Sequence, residues 1–377
     1  MRVIDFDQLR RWPDVEAPEL VAYDATDRLL LDTAREAVVA HPDGVVVIGD
    51  RHGALALGAS DLVDGAELRV HQDALSGELA LAANAEALGV EAHWRSLPLE
   101  PDLVADARVV LLQLPRGLDA LDEIAELVAA HAHPDVVVVA GGRVKHMTIA
   151  MNGVLGRHFG DVRAGLARQK SRVLTATSPS AGSGDPAWPQ RRRHGDLVVV
   201  AHGAAFAGTS IDVGTRALLA ALSAEADAPG LAQAAHVVDL GCGTGVLGAS
   251  FALAHPAARV VATDQSWAAV ASARLTAEAN GVAGRVEARR DDAGASLPAG
   301  SADLVLLNPP FHVGAAVHAG IAHKLFDGAA RLLRPGGELW CVWNSHLGYR
   351  AALERTVGPT RQAARGPKFT VTVSTRR

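Results

Sequence analysis

The chain is short of cysteine, aromatic residues and long apolar runs, and each shortage removes a class of protein. Its two cysteines, Cys242 and Cys341, provide neither a disulfide framework nor a zinc ligand set. Histidines are scattered: His146, His202, His312 and His346 lack the carboxylate or cysteine spacing of a metal centre, so no metal is expected. The longest apolar runs, such as Val45–Ile48 and 136–140, stop well before the roughly 18 residues that a membrane-spanning helix needs. The opening MRVIDFDQLRRW carries acidic residues and no apolar segment, unlike a secretory signal. A cytoplasmic protein with no membrane partner is the expectation.

What is present is leucine, valine and alanine, with 49% of the chain hydrophobic, enough to bury full-sized cores. At roughly 150 residues per domain, the length predicts two domains. A net charge of −6 argues at first sight against a nucleic-acid partner. The average hides opposite patches. Residues 141–195 hold ten Lys/Arg against two aspartates, a local +8, and residues 355–377 hold six and no acid, a local +6, leaving −20 elsewhere.

Short Val/Leu runs at 45–49, 109–113 and 136–140 read as buried strands, as do 236–241, 259–264, 302–308 and 338–343. Between them, 267–280 and 321–333 have helical spacing. Alternation of strand and helix predicts an α/β fold with parallel sheets covered on both faces. The stretch 175–195, rich in Ser, Gly and Pro, reads as a linker or a surface loop. On this reading residues 1–175 form one domain, 176–198 a basic linker and 199–377 a second domain. The halves also resemble each other. AEALGV (85–90) matches AEANGV (277–282), VVVIGDRHGAL (45–55) falls on VVDLGCGTGVL (237–247), and VVLLQLPR (109–116) falls on LVLLNPPF (304–311). Three matches in register favour duplication of one domain over generic likeness.

VVDLGCGTG (237–245) is a strand entering a glycine loop that opens a helix. Gly241, Gly243 and Gly245 allow a tight turn and close approach of a ligand. A dinucleotide fingerprint would need glycine at 246, where this chain has Val246. Asp239 would repel a pyrophosphate but welcome a cation, which fits S-adenosyl-L-methionine with its ammonium and sulfonium. Asp264 ends the next strand, 23 residues after Gly241, where a carboxylate can accept both ribose hydroxyls. Asp291 and Asp292 follow the strand after that and could accept from the adenine amine.

LVLLNPPFH (304–312) places Asn308, Pro309, Pro310 and Phe311 at a strand end, where open α/β sheets bind ligands. A conjugated amine is a poor nucleophile. The Asn308 side-chain oxygen and the Pro309 carbonyl can each accept one of its N–H groups, aligning the lone pair and draining charge in the transition state. The prolines stiffen that carbonyl, and Phe311 offers a face for a planar base. The motif indicates nitrogen methylation without choosing among adenine, guanine and glutamine.

These segments, with IDVGTRALL (211–219), GGELWCVWNSHLGY (336–349) and GPKF (366–369), resemble the bacterial ribosomal RNA guanine-N2 methyltransferases of the tandem-domain type. AGGRVKHMT (140–148) and LARQKSRVL (166–174) look most like the large-subunit branch, with the small-subunit branch next. The resemblance implies two tandem Rossmann-like methyltransferase domains, the N-terminal one degenerate and serving RNA binding or folding. It implies donor binding by Asp239, Gly241, Gly243, Gly245 and Asp264, with Asp292 at the adenine-contacting position, and base positioning by Asn308 to Phe311. The first half agrees with decay. Val47 replaces Asp239, Arg51 replaces Gly243, Gln72 replaces Asp264, and Gln113-Leu114-Pro115-Arg116 replaces the Asn-Pro-Pro-Phe run.

For ribosomal RNA or a subunit precursor as partner, the expected phosphate contacts are Arg143, Lys145, Arg191, Arg192, Arg193 and Lys368. A monomer is compatible with everything in the sequence, which does not fix the oligomeric state. Two other readings share the motifs: a protein glutamine methyltransferase, and a non-catalytic ribosomal RNA chaperone with a methyltransferase shell. The basic segments and decayed first half weigh against the former, and intact Asn308 and Asp264 against the latter.

Overall fold

The structure, a computed structural model, describes residues 4–17, 20–180, 182, 184–310 and 315–377. It divides into two compact units, Met1–Trp188 and Pro189–Arg377. In the first, the apolar runs become β1 (Val45–Ile48), β4 (Val109–Gln113) and β5 (Val137–Arg143), joined by β2 (Leu68–His71), β3 (Trp94–Ser96), β6 (Phe159–Ala164) and β7 (Ser171–Pro179). In the second, a hairpin of β8 (Gln190–His194) and β9 (Leu197–Ala201) precedes β10 (His236–Leu240), β11 (Arg259–Asp264), β12 (Val286–Arg290), β13 (Ala302–Leu307), β14 (Leu333–Asn344), β15 (Thr360–Arg365) and β16 (Phe369–Thr375).

Among the described residues each unit holds one seven-stranded sheet, ordered β3-β2-β1-β4-β5-β7-β6 and β12-β11-β10-β13-β14-β16-β15. The two orders are the same position for position, and so are the registers. Val45 faces Val109 as Val237 faces Leu304, Ile48 faces His71 as Leu240 faces Thr263, and Arg143 faces Ser171 as Asn344 faces Phe369. Each sheet is parallel except at β6/β7 and β15/β16, which close one edge as antiparallel strands.

Why these runs are uninterrupted follows from where their side chains go. Val237, Leu304 and Trp340 pack into one apolar cluster, whereas Val238, Val305 and Cys341 pack into another. Neighbouring residues on a strand point to opposite faces, so both faces of the sheet are buried and both parities must be apolar. Trp340 is fully buried and Trp343 nearly so, as core residues. No helix among the described residues is long and apolar enough to cross a membrane.

The stretch expected to be a linker, 176–198, is built into strands at both its ends. Residues 176–179 complete β7. The Ala187 and Trp188 N–H groups donate to the Glu126 carboxylate at 2.8 and 3.3 Å, and the Trp188 indole donates to Asp122 at 3.2 Å, so this segment is tied to the first unit. Arg191, Arg192 and Arg193 lie in β8, paired with β9, and β9 is fixed by Asn280 and Thr276 of the Trp267–Ala279 helix and its cap. The misreading has a physical reason. A ribbon strand solvated along its whole length carries no apolar alternation to betray it.

Candidate active site

Where strand order reverses in an open parallel sheet, the carboxyl ends of the flanking strands diverge and leave a crevice. In the second unit that point lies between β10 and β13. Strand β10 delivers Asp239 into the turn Gly241 to Gly245, which opens the Val246–Ala254 helix.

The three glycines do different work. Gly245 has φ +76, and a Cβ there would lie 2.8 Å from both Cα and Cβ of Ala273, so this position serves helix packing. Its counterpart in the first unit, Gly53, has φ +100 and faces Leu81 at 3.0 Å in the same way. Gly241 and Gly243 have left-handed backbones too, but a Cβ at either would meet nothing within 4 Å. Their surroundings are open on the side where a ligand can lie.

Asp239 is fully buried. Its Oδ2 accepts the Gly248 N–H at 2.8 Å, while its Oδ1 meets no donor among the described residues. Burial pushes the carboxyl up to about 7, with the Gly248 N–H opposing and the charge of Asp264 reinforcing. Asp264 accepts Gly243 N–H at 3.1 Å and Ser266 N–H at 3.0 Å, holding the middle of the loop. Asp291 is buried and takes the Ser296 N–H and hydroxyl, leaving Asp292 as the outer carboxylate, ion-paired with Lys324. Burial pushes the Cys242 thiol up, so the loop cysteine is no nucleophile.

Strand β13 ends at Leu307, and Asn308 follows it, then buried Pro309 and exposed Pro310. Phe311 and His312 lie outside the described residues. The Asn308 Nδ2 donates to Thr215 Oγ1 at 3.0 Å and to the Asp212 carboxylate at 3.2 Å. Asp212 also caps the Val213–Ala224 helix, accepting the Gly214 N–H at 2.8 Å and the Thr215 N–H at 3.2 Å. A carboxylate only accepts, so it fixes which end of the amide faces it. The consequence is at the other end: Asn308 Oδ1 is buried and has no partner among the described residues. Beside it sits Gly214, where a Cβ would stand 3.2 Å from that oxygen. Glycine keeps the approach clear.

Two family models match, one per unit. The "RLMG N-terminal domain" covers residues 4–180 and the "Methyltransferase small domain" residues 196–373. A ribosomal RNA large subunit methyltransferase G of Streptomyces coelicolor is 39% identical, with 96% of each chain covered. One from Pseudomonas paraeruginosa is 36% identical over the same shares. The chain belongs to the ribosomal RNA large subunit methyltransferase G family. Among solved structures, a T. thermophilus 16S rRNA N2 methyltransferase in complex with AdoMet and guanosine shares the fold, with TM-score 0.72 and 22% identity over 94% of this chain and 92% of that one.

The sequence singles out the Gly241–Gly245 loop and Asn308, and the fold brings both to the same end of one sheet. It misses Asp212, Gly214 and Thr215, although Asp-Val-Gly-Thr before an apolar run carries an N-cap signature. The residues expected at phosphates are divided between the two units. Arg143 ends β5 and Lys145 lies in the Val144–His146 turn of the first unit. In the second unit, Arg191, Arg192 and Arg193 are exposed on β8, and the Lys368 ammonium lies 5.6 Å from the Phe369 ring centre.

Proposed function

We propose that this chain transfers the methyl group of S-adenosyl-L-methionine to the exocyclic N2 amine of a guanosine in large-subunit ribosomal RNA. The observation that carries the reading is the buried, unpartnered Asn308 Oδ1, kept open by Gly214 and oriented by Asp212. A buried acceptor without a donor costs stability, and an N–H from the substrate relieves that cost. The donor side fits by the same measure: Asp239 Oδ1 is a second buried acceptor without a partner, beneath a loop open at Gly241 and Gly243.

When bound, S-adenosylmethionine supplies an electrophilic methyl group on a sulfonium. Asp239 and Asp264 give the pocket the negative charge that a cationic donor requires, and Asp292 stands at the position for the adenine amine. At the strand end, Asn308 Oδ1 accepts one amine N–H, and the Pro309 carbonyl accepts the other. The nitrogen lone pair is thereby turned out of conjugation with the ring, and the positive charge growing on nitrogen is dispersed. Pro310 stiffens the turn, and Phe311 supplies a stacking face for the flipped base. Methyl transfer leaves an acidic N–H that water can take, so no shifted general base is needed. A ribosomal RNA substrate puts the enzyme in the cytoplasm, and one chain contains every residue named here.

The raised Asp239 pKa sets a pH dependence. The cationic donor prefers the ionised carboxylate, so affinity rises as pH climbs through about 7 and levels off above it. Between pH 6 and 8 the calorimetric dissociation constant is expected to fall roughly tenfold, and Asp239→Asn to flatten the curve at weak affinity. A flat wild-type profile would remove Asp239 from the donor pocket.

The reading as a whole is tested by mapping N2-methylguanosine in ribosomal RNA from a strain deleted for the gene. One large-subunit guanosine loses its methyl group and regains it on complementation. Loss at a small-subunit position would move the substrate to the other particle, and loss at none would refute the activity.

A further inference from the structure

Asn308 and Pro309 offer two acceptors to an amine, which does not by itself tell guanine from adenine or from a glutamine amide. The difference lies one atom away. In guanine the ring nitrogen N1, beside the amine-bearing carbon, carries a hydrogen; beside adenine's amine, N1 carries a lone pair. Selection of guanine calls for a further acceptor next to the pair that holds the amine. Strand β14 is placed to supply one. It runs parallel to β13, with Leu307 facing Cys341, and neighbouring strands lie about 4.8 Å apart. Trp340 and Val342 share the apolar cluster of Leu304 and Leu306, so by alternation Asn344 and Asn308 lie on one face of the sheet. The half-buried Asn344 accepts the Nδ1 hydrogen of His346 on its Oδ1 at 2.9 Å. An amide oxygen only accepts, so the ring hydrogen sits on Nδ1, and in the neutral imidazole Nε2 presents a lone pair. His346 is exposed, and its Nε2 has no partner among the described residues. The turn that carries it is pinned: the Ser345 N–H donates to the Lys368 carbonyl at 2.9 Å, and the Ser345 and Thr370 hydroxyls meet at 2.8 Å.

The first unit repeats the sheet without this pair. Arg143 faces Ser171 there as Asn344 faces Phe369 here, so Arg143 stands for Asn344 and Lys145 for His346. Neither side chain can accept a hydrogen bond. The same unit lacks the other acceptors. Val47 stands in place of Asp239, and Asp50 instead accepts the Ala56 N–H at 2.7 Å and the Gly53 N–H at 3.1 Å. Gln113, in place of Asn308, donates to Asp27. The imidazole acceptor therefore accompanies the open Asn308 oxygen, and both are missing together at the corresponding positions of the first unit.

We propose that His346 selects guanine: with its tautomer fixed by Asn344, its Nε2 accepts the N1–H of the target base while Asn308 and Pro309 hold the amine. The proposal rests on the methyltransferase reading above and adds to it the choice among nitrogen substrates. Adenine would set a lone pair against the Nε2 lone pair. A glutamine amide has no N–H beyond the two that Asn308 and Pro309 take. A site built around such a hydrogen bond rejects the analogue that lacks it, because its acceptor is then left without a donor.

The test uses large-subunit RNA with either guanosine or 2,6-diaminopurine riboside at the position that the deletion strain leaves unmethylated. Diaminopurine keeps the reacting amine but has a lone pair at N1. The ratio of kcat/KM for the two RNAs is measured for the full wild-type chain, for His346→Ala and for Asn344→Ala, which frees the ring to take the other tautomer. His236→Ala, at the far end of β10, is the control. Calorimetric S-adenosylmethionine binding and thermal melting report the fold. Wild type is expected to prefer guanosine by at least about 30-fold, and His346→Ala to narrow that preference to within about threefold. Asn344→Ala moves the ratio the same way, and His236→Ala keeps the wild-type ratio. An unchanged ratio in His346→Ala, with guanosine methylation by wild type intact, would overturn the proposal alone. Equal narrowing in His236→Ala, or a wild type that methylates both RNAs alike, would overturn it too. Absence of any guanosine methylation by wild type would instead strike the underlying reading.

Discussion

Asn308→Ala is expected to lower kcat for RNA methylation by about 10²–10³ while leaving calorimetric affinity for S-adenosylmethionine within about twofold. The size follows from what the side chain supplies. Its Oδ1 is an acceptor already desolvated and aimed, so it strengthens as charge develops on the amine without any reorganisation at that moment. Donor affinity is spared because Asp239 holds Gly248 and Asp264 holds Gly243 and Ser266, while the bonds of the Asn308 amide run to Asp212 and Thr215. Asp212→Ala tests the orientation of the amide separately. It frees Nδ2 to rotate and is expected to lower kcat about tenfold, alongside roughly 1 kcal/mol from the lost helix cap. Asp212→Asn keeps one oxygen for the Gly214 and Thr215 N–H groups but turns an NH2 toward Asn308 Nδ2, so it should recover the helix cap and not the rate. Asn308→Ala turnover within threefold of wild type would place the amine acceptor elsewhere.

The largest stability effect belongs to Gly245→Ala. The new methyl must hold a backbone at φ +76 and press on the Ala273 Cα and Cβ at 2.8 Å, which cannot move without shifting the Trp267–Ala279 helix. Left-handed backbone costs a non-glycine residue about 1–2 kcal/mol and overpacking about 1–3 more, so denaturant unfolding should show a loss of roughly 2–5 kcal/mol. Gly243→Ala is the informative partner. With φ +52 and nothing within 4 Å of its Cβ, it should cost only the backbone share, about 1 kcal/mol, while weakening donor binding by more than its stability effect explains. If both substitutions destabilised equally, the division between a packing glycine and a ligand-facing glycine would be wrong.

That division marks how far the sequence could be read. Asp239, the glycine turn and Asn308 are legible because each sits at the end of an apolar run with local spacing that no ordinary loop needs. The duplicated sheet is legible for the same reason, since its matched runs keep one register in both halves. Asp212 is not legible as a site residue. It meets Asn308 across 96 residues of sequence, and only the helix docking on the sheet brings them together. The hairpin of β8 and β9 escapes because Gln190 to His194 is polar on both faces, so composition speaks for a linker where hydrogen bonding makes a strand. Gly245 could be seen but not sorted from Gly241 and Gly243: the distinction depends on Ala273, which no spacing rule predicts.

The Asp50 carboxylate limits how the first unit could be re-engineered. It accepts the Ala56 N–H in the first unit as Asp239 accepts the Gly248 N–H in the second, so the same task falls to a different position of the loop. Restoring aspartate at Val47 alone would set two buried carboxylates in competition for one N–H, an arrangement worse than either end point. Removing Asp50 first would strand the helix terminus. Building a carboxylate pocket like that of Asp239 into the first unit therefore takes coordinated changes at Val47 and Asp50.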